Sequence, residues 1–138
     1  MKVDSISLFT VGDRYETSQV ITPDLMSVFR DFSGDDNPMH LDDAFACAHG
    51  FRGRIAYGNL LGAMLSRLIG AGLPTREVII LRQTIEFRQP AYVGEEIRLT
   101  AEVAAVHEAV RSIQLKLQFH STQQDPICTG QCLIKCLP

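Results

Sequence analysis

The sequence reads as an α+β domain in which a curved antiparallel sheet wraps one long apolar helix. Three observations predict it. From residue 77 onward the apolar residues recur at every second position, the period of half-buried strands. Residues 58–72, GNLLGAMLSRLIGAG, are apolar almost all round, with Arg67 the only charge, so this helix asks to be buried on several sides. The chain has 138 residues, 46% hydrophobic and 21% charged, which suffices for one domain with its own core and excludes a disordered segment.

Residues 13–21, DRYETSQVI, have strand character and lead into Thr22-Pro23-Asp24. Thr22 can cap a helix, Pro23 suits its first position, and Asp24 meets the positive end of the dipole. Leu25, Met26, Val28, Phe29 and Phe32 then recur at helical spacing, and a stop is expected at Ser33-Gly34. Residues 34–42, GDDNPMHLD, cannot continue the helix, because Gly34, Asn37 and Pro38 form turns. A short helix over roughly 42–48 and a loop over 49–54 precede the long helix, which Gly70, Gly72 and Pro74 end. In the next run Ile79, Leu81, Ile85 and Phe87 alternate with Arg82, Thr84 and Glu86 until Pro90 breaks it. Ile97, Leu99, Ala101 and Val103 form a second alternating set, and Ile113, Leu115, Leu117 and Phe119 a third. A last strand is expected over about 126–135. The connections are short enough for hairpins, so this half reads as a meander. With no repeat and no linker, residues 1–138 are expected to form a single domain.

Lys and Arg number 13 and Asp and Glu 16, a net charge of −3 with no basic stretch, which argues against a nucleic-acid partner. No run in the first twenty residues resembles a signal peptide core, and no window is long and apolar enough for a membrane span. The expected location is the cytoplasm, with no membrane partner. Cys128, Cys132 and Cys136 recur at a spacing of four, which places them on one face of an extended strand. No His lies beside them, so these and Cys47 read as core or surface thiols, not as a metal or disulfide site. His49, His107 and His120 are scattered and read as surface or loop residues.

Two places offer chemistry. In SGDDNPMHLD, Asp35 and His40 stand on either side of an Asn-Pro turn that can fold a carboxylate and an imidazole over one cavity. Such a pair serves acid–base chemistry near neutral pH, although Asp35, Asp36, Asn37 and Asp42 also suit plain turns and caps. The second place is Tyr57-Gly58-Asn59, where the first N–H groups of the long helix lack internal partners and suit a developing oxyanion. Gly58 has no side chain to bar a close approach, though it equally suits a turn. Ser66, a little over two turns along, is a packing serine by composition alone. No phosphate loop, dinucleotide fingerprint or nucleophile elbow occurs.

Taken together, SGDDNPMHLDDAFA, RIAYGNLLGAMLSRLIG and FRQPAYVGEEI closely resemble the MaoC-like dehydratase family, and its small single-domain (R)-specific enoyl-CoA hydratase branch in particular. The resemblance runs from about residue 8 to the C-terminus. It implies a hot-dog fold with helix 58–72 at its centre and a homodimer whose sheets join edge to edge. It also implies addition of water to trans-2-enoyl thioesters, or the reverse, with no metal or redox cofactor. Asp35 and His40 match the catalytic pair, Gly58 the residue whose N–H holds the thioester oxygen, and Ser66 a serine that orders the site in some members. Asn37, Tyr57, Asn59, Leu61, Leu65 and Tyr92 are the expected substrate-binding residues; Arg52, Arg54 and Arg88 are candidate cations for the phosphates of coenzyme A and equally suit solvated loops. Acyl carrier protein is the other possible carrier. One departure stands out: the family usually has His before the helix-start Gly, where this chain has Tyr57. A hot-dog thioesterase and a non-catalytic acyl-thioester binding module are the alternatives. The first wants a carboxylate near the helix start, where Asn59 stands; the second draws on Tyr57 in place of His.

Overall fold

The computed structural model describes residues 2–121 and 126–138. After a 3-10 turn at Ser5–Leu8 come β1 (Arg14–Val20), α1 (Pro23–Ser33), α2 (Pro38–Leu41), α3 (Asp43–Ala48) and α4 (Gly58–Ala71). Four strands follow: β2 (Val78–Phe87), β3 (Glu96–His107), β4 (Ser112–Ser121) and β5 (Cys128–Cys136). They form one antiparallel sheet in the order β1-β3-β4-β5-β2.

The meander holds for β3, β4 and β5 but not for β2. That strand pairs with β5 at one edge, while β3 pairs with β1 at the other. Residues 88–95 make no hairpin because their backbone groups are engaged elsewhere. The N–H groups of Arg88 and Gln89 both donate to the Ile127 carbonyl, Ala91 accepts from the Ala56 N–H, and the Gly94 N–H donates to the Ile21 carbonyl. The segment therefore crosses from one edge of the sheet to the other. Strand β3 also runs past Val103, through an irregularity in its pairing with β4 between Val103 and Ala105.

The sheet closes around α4. Leu60, Leu61, Met64, Leu65, Leu68 and Ile69 of the helix are buried against the inward residues of β3, β4 and β5. Each such side chain contributes roughly 1.5–3 kcal/mol by leaving water. All four cysteines are free; Cys47 is exposed, and Cys128, Cys132 and Cys136 all fall on the core face of β5, as their spacing predicts. Burial pushes the Cys128 and Cys132 thiols up to about 11, so both behave as small hydrophobes. His49 and His107 are exposed, but His120 lies within β4 and is half-buried, because its neighbour Phe119 fills an inward position.

Thr22 accepts a hydrogen bond from the Leu25 N–H at 3.1 Å, and Gly34 ends α1 in the left-handed region at φ 72°, which a side chain would strain. Met26 alone of α1 is fully buried; Val28 and Phe32 face outward. The segment expected to be a plain turn holds one turn of helix, α2. Asn37 caps it through Oδ1 to the Met39 N–H at 3.0 Å, and Pro38 takes the first helical position. The turn formers of this segment begin a helix as well as ending one.

Candidate active site

Short polar side chains shape the segment after α1. The Asp35 N–H donates to Ser33 Oγ at 3.1 Å, and Asp35 Oδ1 accepts from the Asn37 N–H at 3.1 Å. With the Asn37 cap, these local bonds fix the turn that leads to His40. Asp35 thus serves as a turn residue through one oxygen and leaves the other free. That second oxygen, Oδ2, lies 3.8 Å from His40 Nε2.

The other ring nitrogen fixes the state of the imidazole. His40 Nδ1 lies 2.9 Å from the Ile55 carbonyl, which can only accept, so Nδ1 carries the hydrogen. In the neutral ring Nε2 then presents its lone pair toward Asp35. The ring also stacks on Tyr57, with centroids 4.2 Å apart. His40 is mostly buried, its side chain 15% exposed against 43% for Asp35.

His40, Gly58, Leu61, Ile55 and Phe87 line a cavity of about 340 Å³. Its wall is largely apolar, with Cys128, Pro90 and Ala91 contributing. Gly58 is the first residue of α4, and the preceding Tyr57 makes no side-chain cap there. The positive end of the helix therefore borders the cavity without a capping group. Phe87 covers Gly58 closely: a Cβ at residue 58 would lie 3.0 Å from Phe87 Cε1.

The structure brings His40, Gly58 and Leu61 together on the cavity wall, sets Asp35 behind His40 and off that wall, and distributes the other expected residues. Asn37 works as the cap of α2, and Asn59 is exposed on the first turn of α4. Leu65 is fully buried within the core and does not line the cavity. Ser66 is exposed on α4, outside the cavity wall. Tyr57 is 1% exposed and also outside the wall; its hydroxyl donates to the Asp35 carbonyl at 2.6 Å. Tyr92 lines a neighbouring groove with Arg52 and Arg54, its ring lying 4.2 Å beneath the Arg52 guanidinium. Of the three arginines only Arg88 borders the cavity, where it donates to Glu86 and Thr129. Sequence reasoning missed Ile55, whose backbone carbonyl orients His40, and Phe87 and Cys128, which reach the cavity from distant strands. Alternation placed the last two on strands, but no local signal tied them to Gly58.

The chain is similar in sequence and in fold to known proteins. Residues 9–123 match the family model described as MaoC like domain. The (R)-specific enoyl-CoA hydratase of Aeromonas caviae is 32% identical over 125 residues, covering 91% of this chain and 93% of that protein. The 3-hydroxybutyryl-CoA dehydratase of Methylorubrum extorquens is 31% identical over 107 residues, covering 78% and 68%. Among solved structures, the (R)-hydratase from A. caviae involved in PHA biosynthesis superposes with a TM-score of 0.87 at 32% identity, covering 94% of this chain and 98% of that one.

Proposed function

Because the chain belongs to the family of MaoC-like dehydratases and has their hot-dog fold, we propose that it is a hydro-lyase. It adds water to trans-2-enoyl thioesters to give (R)-3-hydroxyacyl thioesters, or runs the reverse dehydration. The observation that carries this reading is the 3.8 Å approach of Asp35 Oδ2 to His40 Nε2, at the edge of the cavity that Gly58 also lines.

The gap is too wide for a direct hydrogen bond and narrow enough for one substrate water to touch both groups. The thioester carbonyl points at the Gly58 N–H, where the helix start favours the negative charge that grows on oxygen. The water oxygen bonds to C3 while Nε2 of neutral His40 takes its proton. The Asp35 carboxylate orients that water and stabilises the imidazolium. The electron pair of the C2–C3 double bond moves onto the thioester as an enolate. His40 returns the proton to C2 from the same face, giving syn addition and restoring both residues. The thioester itself acidifies C2, so this route requires no metal or redox cofactor.

Burial keeps the Cys128 thiol neutral beside an electrophilic substrate, since only a thiolate would add rapidly to the enoyl carbon. Arg88 at the cavity wall and Arg52 and Arg54 in the adjoining groove offer cations to the phosphates of coenzyme A, with acyl carrier protein the second carrier. Two copies associate as a homodimer through the free edge of β2, where Ile79 and Leu81 are exposed. Four free thiols suit the reducing cytoplasm, and no helix among the described residues is long and apolar enough to cross a membrane.

The test is loss of enoyl absorbance with crotonyl-CoA and with the same acyl group on carrier protein. Asp35→Asn and His40→Ala are each expected to lower kcat by about a thousandfold while keeping the wild-type far-UV spectrum. Wild-type turnover in both variants would refute the site. Release of free thiol from acyl-CoA would favour a thioesterase instead.

A further inference from the structure

Tyr57 was expected to touch substrate, yet it is 1% exposed and absent from the cavity wall. Its surroundings give it a different task. The hydroxyl donates to the Asp35 backbone carbonyl at 2.6 Å, across 22 residues of sequence. The ring lies between His40, at a centroid distance of 4.2 Å, and Phe29 of α1, at 4.6 Å. Tyr57 is also the residue immediately before Gly58, at the cap position of α4. One buried side chain therefore touches the backbone of the carboxylate residue and the ring of the imidazole residue, while its own backbone leads into the oxyanion donor.

We infer that Tyr57 is a positioning residue, which fixes Asp35 against His40 through its hydroxyl and holds the imidazole plane through its ring. This deepens the hydratase reading and rests on it. The need for such a tether follows from exposure. Asp35 sits in a solvent-facing turn whose other bonds, to Ser33 and Asn37, are local and exposed. Local bonds set the shape of that turn but not its distance from α4. The bond from Tyr57 is part-buried and comes from another element, so it sets the distance. A carbonyl deprived of it turns to water, and the carboxylate moves with the backbone. Burial first, and the nearby Asp35 charge second, push the Tyr57 phenol above its ordinary range, so the hydroxyl stays protonated and donating.

Phenylalanine at this position keeps the ring and both stacks and removes only the donor. For Tyr57→Phe, kcat with crotonyl-CoA is expected to fall about tenfold, with KM within about twofold of wild type. A double-mutant comparison distinguishes positioning from general stiffening. In an Asp35→Asn background, where the carboxylate no longer acts, adding Tyr57→Phe is expected to change the residual rate by less than about twofold. Three results would overturn the inference: wild-type kcat in Tyr57→Phe, the same tenfold loss in both backgrounds, or a drop in melting temperature so large that Tyr57→Phe is unfolded at assay temperature. If the wild-type protein itself fails to hydrate any enoyl thioester, the hydratase reading falls and the positioning role goes with it. If wild type is active and Tyr57→Phe matches it, only the positioning role falls.

Discussion

In the proposed mechanism Gly58 contributes an amide hydrogen and no side chain, and substitutions can separate the two. Proline at the first position of a helix is tolerated, because the N–H it removes has no partner within the helix. The preceding residue must be extended, and Tyr57 already is, at φ −61° and ψ 125°. Gly58→Pro is therefore expected to keep the fold and lose kcat by about a hundredfold, the usual effect of deleting one oxyanion donor. Gly58→Ala controls for bulk. Its methyl presses on a Phe87 ring that is more than half exposed and free to swing, so activity is expected within about tenfold of wild type. Equal activity in the two variants, measured with crotonyl-CoA, would remove Gly58 from the oxyanion role. At this scale the site was legible where chemistry sits in a short string. Asp35 and His40 flank one Asn-Pro turn whose shape is set by local bonds of Ser33, Asp35 and Asn37, so their closeness is written in that string. The Ile55 carbonyl was not legible, because a backbone oxygen has no sequence signature. Tyr57 was seen but misassigned, because nothing local tells whether a ring beside a helix start faces a cavity or the turn behind it.

Elements were legible where period and caps agree. Thr22-Pro23 opened α1 and Gly34 closed it; the apolar run of α4 and the alternation of β4 gave their lengths to within a few residues, while β3 runs on past its alternating set. The place of β2 was not legible, because alternation states that a strand has a wet face and not which neighbour it pairs with. That pairing rests on a feature invisible in the pattern. Gly130 of β5 lies opposite Ile85 of β2, and a Cβ there would run into the carbonyl oxygen of Thr84 and approach the Ile85 Cα. Backbone cannot swing aside as a side chain can, so the methyl of Gly130→Ala would force β2 and β5 apart. The expected cost is a fall in melting temperature of about 6–10 °C, read by thermal denaturation. Gly70→Ala is the contrast. No atom lies within 4 Å of its added Cβ, and alanine favours the helix, so its melting temperature is expected to equal or exceed that of wild type. A Gly130→Ala protein as stable as wild type would show that the two strands have room to spare.

The whole molecule has two sheet edges, and they are finished differently. β1 turns Arg14, Glu16, Ser18 and Val20 outward, a mostly polar border. β2 is ten residues long, has no proline, and exposes Ile79, Leu81 and Phe87. An edge of that length with bare N–H and C=O groups and apolar side chains is a site for pairing with another strand. A second copy offers the matching surface, since an antiparallel pair of identical edges satisfies two-fold symmetry. The same strand ends at Phe87, which lines the cavity over Gly58, so what seats on β2 also bears on the site. Light scattering is therefore expected to give twice the 15.3 kDa chain mass at micromolar concentration. Leu81→Lys sets two like charges near each other across that pairing and leaves the core untouched, because Leu81 is half exposed. The variant is expected to run at the mass of one chain and to lose hydratase activity in step with dissociation, recovering part of it as protein concentration rises. A Leu81→Lys protein that stays dimeric and fully active would place the contact elsewhere. A wild-type protein that is monomeric at assay concentration and still turns over crotonyl-CoA would show that one copy completes the cavity alone.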